Sequence, residues 1–246
     1  MKYDISINLK KKIIPIFKDN FTNLDKFEKN IVLKEDRSLV TAIDLQISEI
    51  IKEFTATERL KNNISFFCEE DHGELIFPAF ILDPIDGTNE LIKRIGECAI
   101  SLAYMHSKNL DDTRSWAWIY NPFTGFELMT GQDFYSGTIA YREHLTGLVS
   151  RSEYRDGLFD NFACDNLSIH PRGSIAFKLG LLASGACDFV ISRRPKNIWD
   201  IAAGTLLCRE RGIHLYSDGV EINLLSEVRM NAPLLWCSPV NLGKIK

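Results

Sequence analysis

The stretch FILDPIDGTNELIKRIGE, Phe80–Glu97, decides how the rest of the chain is read. The apolar run AFILD has the length and composition of a buried strand. It ends in two carboxylates, Asp83 and Asp86, with Pro84 and Ile85 between them; Gly87 and Thr88 follow, and NELIKRI then reads as a short helix. Hard divalent cations such as Mg²⁺ take oxygen ligands and keep several waters. Aspartates at this spacing, stiffened by a proline, can turn both carboxylates toward one point, and a backbone carbonyl between them can add another oxygen. Gly87 lets the backbone approach a ligand closely. The free N–H groups at the helix start favour an anion such as phosphate, and the Thr88 hydroxyl can orient a water. The plainer reading of the same residues is a strand-to-helix turn with an aspartate cap.

Three other acidic positions bear on the choice. FFCEED places Glu69, Glu70 and Asp71 after an apolar strand, LVTAIDLQISE places Asp44 near a helix start, and NIWDIAAG places Asp200 just before a helix. Alone, the first is a solvated loop and the other two are caps. Taken with DPIDGT, they put carboxylates at the edges of four predicted core elements, which points to one metal-and-phosphate corner.

Composition is compatible with this. The chain has 246 residues, 45% hydrophobic and 25% charged, with a formal net charge of -4. That supports one large domain or two intimate subdomains and argues against a polyanion or membrane-surface binder driven by net charge. The six cysteines show no C-x-x-C spacing, so they read as buried reduced thiols of a cytosolic protein. No apolar run approaches the ~20 residues of a membrane span, and the N-terminus lacks a signal-peptide pattern. A cytoplasmic location is the expectation. Helices are predicted over 5–27, 39–54, 174–185 and 201–212. Strands are predicted at NISFFCEE, AFILD, CAISLAYMH, RSWAWIYNP, GLVS and CDFVIS. The alternation after Thr146 suggests an α+β subdomain over 1–145 and an α/β subdomain over 146–246.

The segments CEE (Cys68–Glu70), DPIDGT (Asp83–Thr88), WDIAAG (Trp199–Gly204), LVTAID, YNPFTGFEL and GSIAFKLGLLASGACDFVI resemble the inositol monophosphatase superfamily of metal-dependent, lithium-sensitive phosphatases. The resemblance runs from about Lys34 to Gly212. It implies a layered αβαβα sandwich of the inositol monophosphatase and fructose-1,6-bisphosphatase type, with the site between two subdomains. By motif position, Glu69, Asp83 and the Ile85 carbonyl would hold one Mg²⁺, and Asp83, Asp86 and Asp200 a second, with a third loosely held ion allowed. Gly87 and Thr88 would seat the phosphate. Thr88 and Asp44 would orient the attacking water near Glu69. The implied substrate is a small phosphate monoester; no nucleic-acid polymer or membrane insertion is implied, and a homodimer is.

DGTNELIKRIGECAISLAY further resembles bacterial 3'(2'),5'-bisphosphate nucleotidases, through Glu90, Ile92, Arg94, Gly96 and Glu97; LVSRSE and RPKNIWD point the same way. Arg193, Arg194 and Lys196 precede Asp200, where cations would pair with a second phosphate. The plainer readings are a solvated basic loop and a structural Arg94–Glu97 ion pair. Cys68 stands where the family has glycine, Leu91 and Cys98 replace aromatic positions, and the segment after Gly212 diverges. The alternatives are an inositol or sugar monophosphatase of the same fold and a non-catalytic interaction protein on this scaffold. The last would be marked by a lost metal ligand, and none is lost.

Overall fold

Strand β4 (Ala79–Asp86) is buried along nearly its whole length and feeds two cores from its two faces. Phe80 and Leu82 join one apolar cluster, while Ala79 and Ile81 join another. This is the period-two geometry of a strand covered on both sides. The computed structural model describes residues 2–22, 31–33, 39–71, 73–132, 143–162 and 166–245.

Around β4 runs a five-stranded sheet in the order β3-β4-β5-β6-β7, with β3 (Ser65–Cys68), β5 (Ala99–Met105), β6 (Trp116–Tyr120) and β7 (Glu127–Met129). Only β3 and β4 run parallel; the other pairings are antiparallel. A small hairpin, β1 (Ile31–Leu33) with β2 (Leu39–Thr41), precedes it. Helices α1 (Lys2–Thr22) and α2 (Ala42–Asn62) contribute Ile5, Leu9, Ile13, Ile43, Ile47 and Ile51 to the cluster on one face. On the other face lie α5 (Ile175–Ala183) and α6 (Ile198–Glu210), whose apolar residues also meet Leu148, Val190, Leu215 and Trp236 of a second sheet. That sheet has six strands in the order β13-β12-β15-β10-β8-β9. Its members are β8 (Leu145–Ser150), β9 (Leu167–Arg172), β10 (Phe189–Ser192), β12 (His214–Ser217), β13 (Val220–Ile222) and β15 (Leu234–Cys237). Strand β11 (Lys196–Asn197) pairs apart with β14 (Arg229–Met230). Short helices α3 (Thr88–Ile92) and α4 (Arg151–Arg155) and a terminal 3₁₀ turn complete the chain. A third cluster, with Val149, Phe189, Phe159 and Ile245, completes the packing around the second sheet. Helices and sheets therefore alternate in layers, as the resemblance implied.

The element boundaries shift where hydrogen bonding overrides periodicity. The helix expected from Leu39 starts at Ala42, because Leu39–Thr41 pairs with β1, and it continues to Asn62, where Asn63 takes a left-handed φ of 51°. The first helix is described to Thr22, and residues 23–27 of that expectation lie outside the described residues. The helix expected from Ile201 begins at Ile198. Five of the cysteines are free and buried, and Cys164 lies outside the described residues. No helix among the described residues is long and apolar enough to cross a membrane.

Candidate metal and phosphate site

The end of β4 delivers Asp83 and Asp86 to a cleft of about 460 Å³ that is also lined by Glu69, Ile85, Gly87, Thr88 and Asp200. One ligand oxygen each from Asp83, Asp86 and Asp200 lies within 4.8 Å of the others. The pairing of β4 with β5 shifts register between Asp83 and Asp86. Such a bulge re-aims side chains that a regular strand would send to opposite faces. Glu69 follows β3, its N–H bonded to the Leu82 carbonyl at 3.1 Å, and its carboxylate reaches the cleft outside the tight trio.

Asp86 and Asp200 are each fixed by one oxygen. Asp86 Oδ2 accepts from the Ser174 hydroxyl at 2.6 Å and from the Ala176 N–H at 2.5 Å, so the start of α5 grips it. Asp200 does not precede its helix, as the sequence suggested: it lies in the first turn of α6, where Oδ2 accepts from the Asn197 N–H at 2.9 Å in a capping box. Asp44 does the same in α2, its Oδ2 bonded to the N–H (2.9 Å) and hydroxyl (2.6 Å) of Thr41. Its Oδ1 accepts from Thr88 Oγ1 at 3.2 Å, and that hydroxyl also lies 3.1 Å from the Ile85 carbonyl. Capping and site geometry are thus two uses of one carboxylate. Gly87 has φ +96°, and a Cβ there would sit 3.1 Å from the Glu97 carbonyl and 3.2 Å from Ser174 Cβ, so both torsion and space demand glycine. Helix α3 has five residues, so an anion seat at Gly87–Thr88 would rest on local N–H groups more than on a macrodipole.

The electrostatics favour a cation. Burial, then the charges of Glu69, Asp86, Asp200 and Asp44, push the Asp83 carboxyl well above its usual range. Burial raises Asp200 to about 8, and Asp86 adds to this. Burial raises Asp44 to about 6 against the hydrogen bonds from Thr41. Burial also raises Asp86, despite Ser174, Ala176, Lys178 and Lys196. Asp83 Oδ1 is buried with no hydrogen-bond partner. An orphaned carboxylate oxygen among like charges is costly unless a positive ion satisfies it, so the donor set fits a hard divalent cation.

The basic residues are arranged differently from the sequence expectation. Arg193 bonds to the Leu158 carbonyl at 2.7 Å and stacks over the Phe159 ring, and Arg194 pairs with Asp156 at 2.6 Å; of the three expected cations, only Lys196 lines the cleft. Lys93, Arg151, Arg155 and Lys178 line it as well. Sequence reasoning passed over these four. A signal existed for Lys178, the one charge inside the apolar helix IAFKLGLLA. Burial lowers this lysine to about 8. Glu97 forms its ion pairs with Arg151 and Arg172, outside its own turn.

The sequence profile described as the inositol monophosphatase family matches residues 2–229. The chain belongs to the inositol monophosphatase family. Members are metal-dependent phosphatases that use divalent ions and act on small phosphorylated substrates, and this chain is an enzyme of that class. Among relatives, it is 25% identical over 226 residues to the fructose-1,6-bisphosphatase/inositol-1-monophosphatase of Thermotoga maritima, covering 86% of this chain and 82% of that one. It is 28% identical over 207 residues to the 3'(2'),5'-bisphosphate nucleotidase CysQ of Escherichia coli (strain K12), covering 76% and 79%. In fold, it matches the extragenic suppressor protein suhB of Bartonella henselae with a TM-score of 0.76 at 21% identity, over 99% of this chain and 96% of that one.

Proposed function

We propose that this family member is a Mg²⁺-dependent 3'(2'),5'-bisphosphate nucleotidase that removes the 3'-phosphate of adenosine 3',5'-bisphosphate. The observation that carries the reading is the composition of the cleft: Lys93, Arg151, Arg155, Lys178 and Lys196 share it with the carboxylate trio. A substrate with two phosphates has use for such cations beyond the reacting group. A sugar monophosphate would ask for acids and amides to meet its hydroxyls; outside the metal carboxylates the cleft offers Glu90 and Asn89 for this, against five cations. The similarity to CysQ supports the same class.

Asp83, Asp86 and Asp200, with Glu69 and the Ile85 carbonyl, would hold two Mg²⁺, and a third is compatible. Bound there, the ions supply positive charge that acidifies water and stabilises the leaving oxygen. Thr88 Oγ1 donates toward Asp44 or Ile85, which leaves its lone pairs to accept from the attacking water and aim it in line with the ester. Asp44, raised to about 6, is basic enough near neutrality to keep that hydroxyl oriented. Gly87 and Thr88 seat the phosphate, and Lys178 and Lys196 face the cleft beside Asp86.

The second reading is an inositol or sugar monophosphatase, favoured by the similarity to the Thermotoga enzyme. Phosphate release with Mg²⁺ from adenosine 3',5'-bisphosphate, inositol 1-phosphate and fructose 1,6-bisphosphate separates them. The nucleotide is expected to give the highest kcat/KM. Equal or better turnover of inositol phosphate rejects the nucleotidase.

A further inference from the structure

Glu97 lies between α3 and β5 and has no part in the chemistry above. Its side chain is mostly covered, at 17% exposure, and Arg151, Arg172 and Gly173, from the second half of the chain, surround its carboxylate. Arg151 reaches Oε2 with Nε at 3.0 Å and with Nη2, the Gly173 N–H reaches the same oxygen at 2.7 Å, and Arg172 Nε stands 3.6 Å from Oε1. Burial pushes the Glu97 carboxyl up, but the hydrogen bonds from Arg151 and Gly173 and the nearby guanidinium charges outweigh it and hold the group below its usual value.

The contacts fix one edge of the Arg151 guanidinium and leave Nη1 uncommitted among the described residues, on a side chain that lines the cleft. Two other cations of the wall are more fully engaged. Lys178 Nζ lies 2.9 Å from the Ser174 carbonyl and 3.3 Å from those of Arg172 and Gly173. Lys196 stands 3.5 Å from the buried Glu153 carboxylate. A guanidinium held by one edge presents its other N–H groups in a fixed fork, the geometry that suits a phosphate. Prior fixing also removes side-chain freedom that would otherwise be lost on binding.

We propose that Glu97 is a positioning residue that holds Arg151 so that its free edge meets the second anionic group of the substrate, the one that is not cleaved. This rests on the two-phosphate reading above and adds the residue pair that distinguishes a bisphosphate from a monophosphate.

The test compares adenosine 3',5'-bisphosphate with adenosine 3'-monophosphate, which share the scissile ester and differ by the 5'-phosphate. KM and kcat are measured for the Mg²⁺-loaded full chain, wild type, Glu97→Gln, Arg151→Ala and the double variant. For a nucleotide that is not hydrolysed, its inhibition constant against inositol 1-phosphate replaces KM. Wild type is expected to prefer the bisphosphate. In Glu97→Gln its KM rises by about tenfold, with kcat and the monophosphate KM within about twofold. Arg151→Ala gives at least as large a rise, and the double variant adds little to it. Melting curves check folding, and if Glu97→Gln fails to fold, Arg151→Ala carries the comparison. A merely structural Glu97 would move both nucleotides in parallel, and that result overturns the proposal, as does a wild type that binds the two alike or binds neither. A wild type that prefers inositol phosphate in turnover, yet binds the bisphosphate more tightly in a Glu97-dependent way, defeats the nucleotidase and leaves this pair standing.

Discussion

Near α1, the Glu127 carboxylate is met by the Ser6 hydroxyl, the Lys10 ammonium and the Trp118 indole N–H. At the end of β4, Asp83 is met by other carboxylates, and one of its oxygens has no partner. Asp83 is fully buried and Glu127 partly so. Burial pushes Glu127 up, but its three donors outweigh that and hold it below its ordinary value, whereas Asp83 is driven far above. The contrast separates a carboxylate that tethers a helix to a sheet from one arranged to take a charge the polypeptide does not supply. Within one fold, carboxylates withdrawn from water to different depths serve opposite ends.

The largest effect follows from attacking the unsatisfied member. Asp83→Asn is expected to lower Mg²⁺-dependent phosphate release by more than about 100-fold, while the metal-free melting temperature holds or rises because the neutral amide can never add a negative charge to the buried cluster. A large drop in that temperature would place Asp83 with Glu127 as a structural group. Next comes the response to pH and metal. Asp44 and Asp200 are raised to about 6 and about 8. The folded, metal-free protein therefore keeps protons that the unfolded chain releases near pH 4, and its stability falls as pH rises from about 4 to 8. Mg²⁺ opposes this at the alkaline end, adding about 3 kcal/mol at a hundredfold excess over its Kd. Thermal melts with Mg²⁺ and with EDTA across that range read the slope, and a metal-free slope of opposite sign refutes the assignment.

Glu127→Ala sharpens the other half. Trp118 Nε1 and the Ser6 hydroxyl lose their acceptor, so stability is expected to fall by about 1–3 kcal/mol, with kcat/KM unchanged in the native range. Urea unfolding beside the phosphate assay would show it. The smallest effect belongs to a charge outside both sets: Arg194→Ala, which removes an exposed pairing with Asp156, should leave KM for the bisphosphate within about twofold. A tenfold rise would return Arg194 to the substrate wall, where its position beside Asp200 in the sequence first put it.

That last case shows where the sequence stops being legible. The layers could be read because β4, α5 and α6 carry long apolar runs bounded by glycines and acids, and such runs have few places to go. The gathering of Asp83, Asp86 and Asp200 could be read because the first two lie on one strand end and the third in the first turn of a helix packed on that sheet. The cations could not. Arg193 and Arg194 sit next to the acidic cluster in sequence, but Phe159, the Leu158 carbonyl and Asp156 draw them away. Arg151 arrives from the end of β8, held by a carboxylate 54 positions earlier. Long flexible side chains follow tertiary partners, and no local pattern reports those. Asp200 was misplaced by a turn for a smaller reason: a carboxylate at the cap and one at the third helical position both satisfy helix N–H groups or the cap backbone, and composition alone does not separate them.

Asp86 sits in the five-stranded sheet, and the Ser174 hydroxyl and the Ala176 N–H that hold it open helix α5, where Ser174 and Ile175 also form part of the cleft wall. Ser174 adopts φ +49°, an unusual torsion for a side chain of its kind, to do so. Remodelling that wall would therefore disturb the grip on Asp86, a carboxylate of the candidate metal site, and changes at Asp86 would alter the wall in turn. Along this edge, selection cannot tune appetite for substrate and appetite for metal as separate traits.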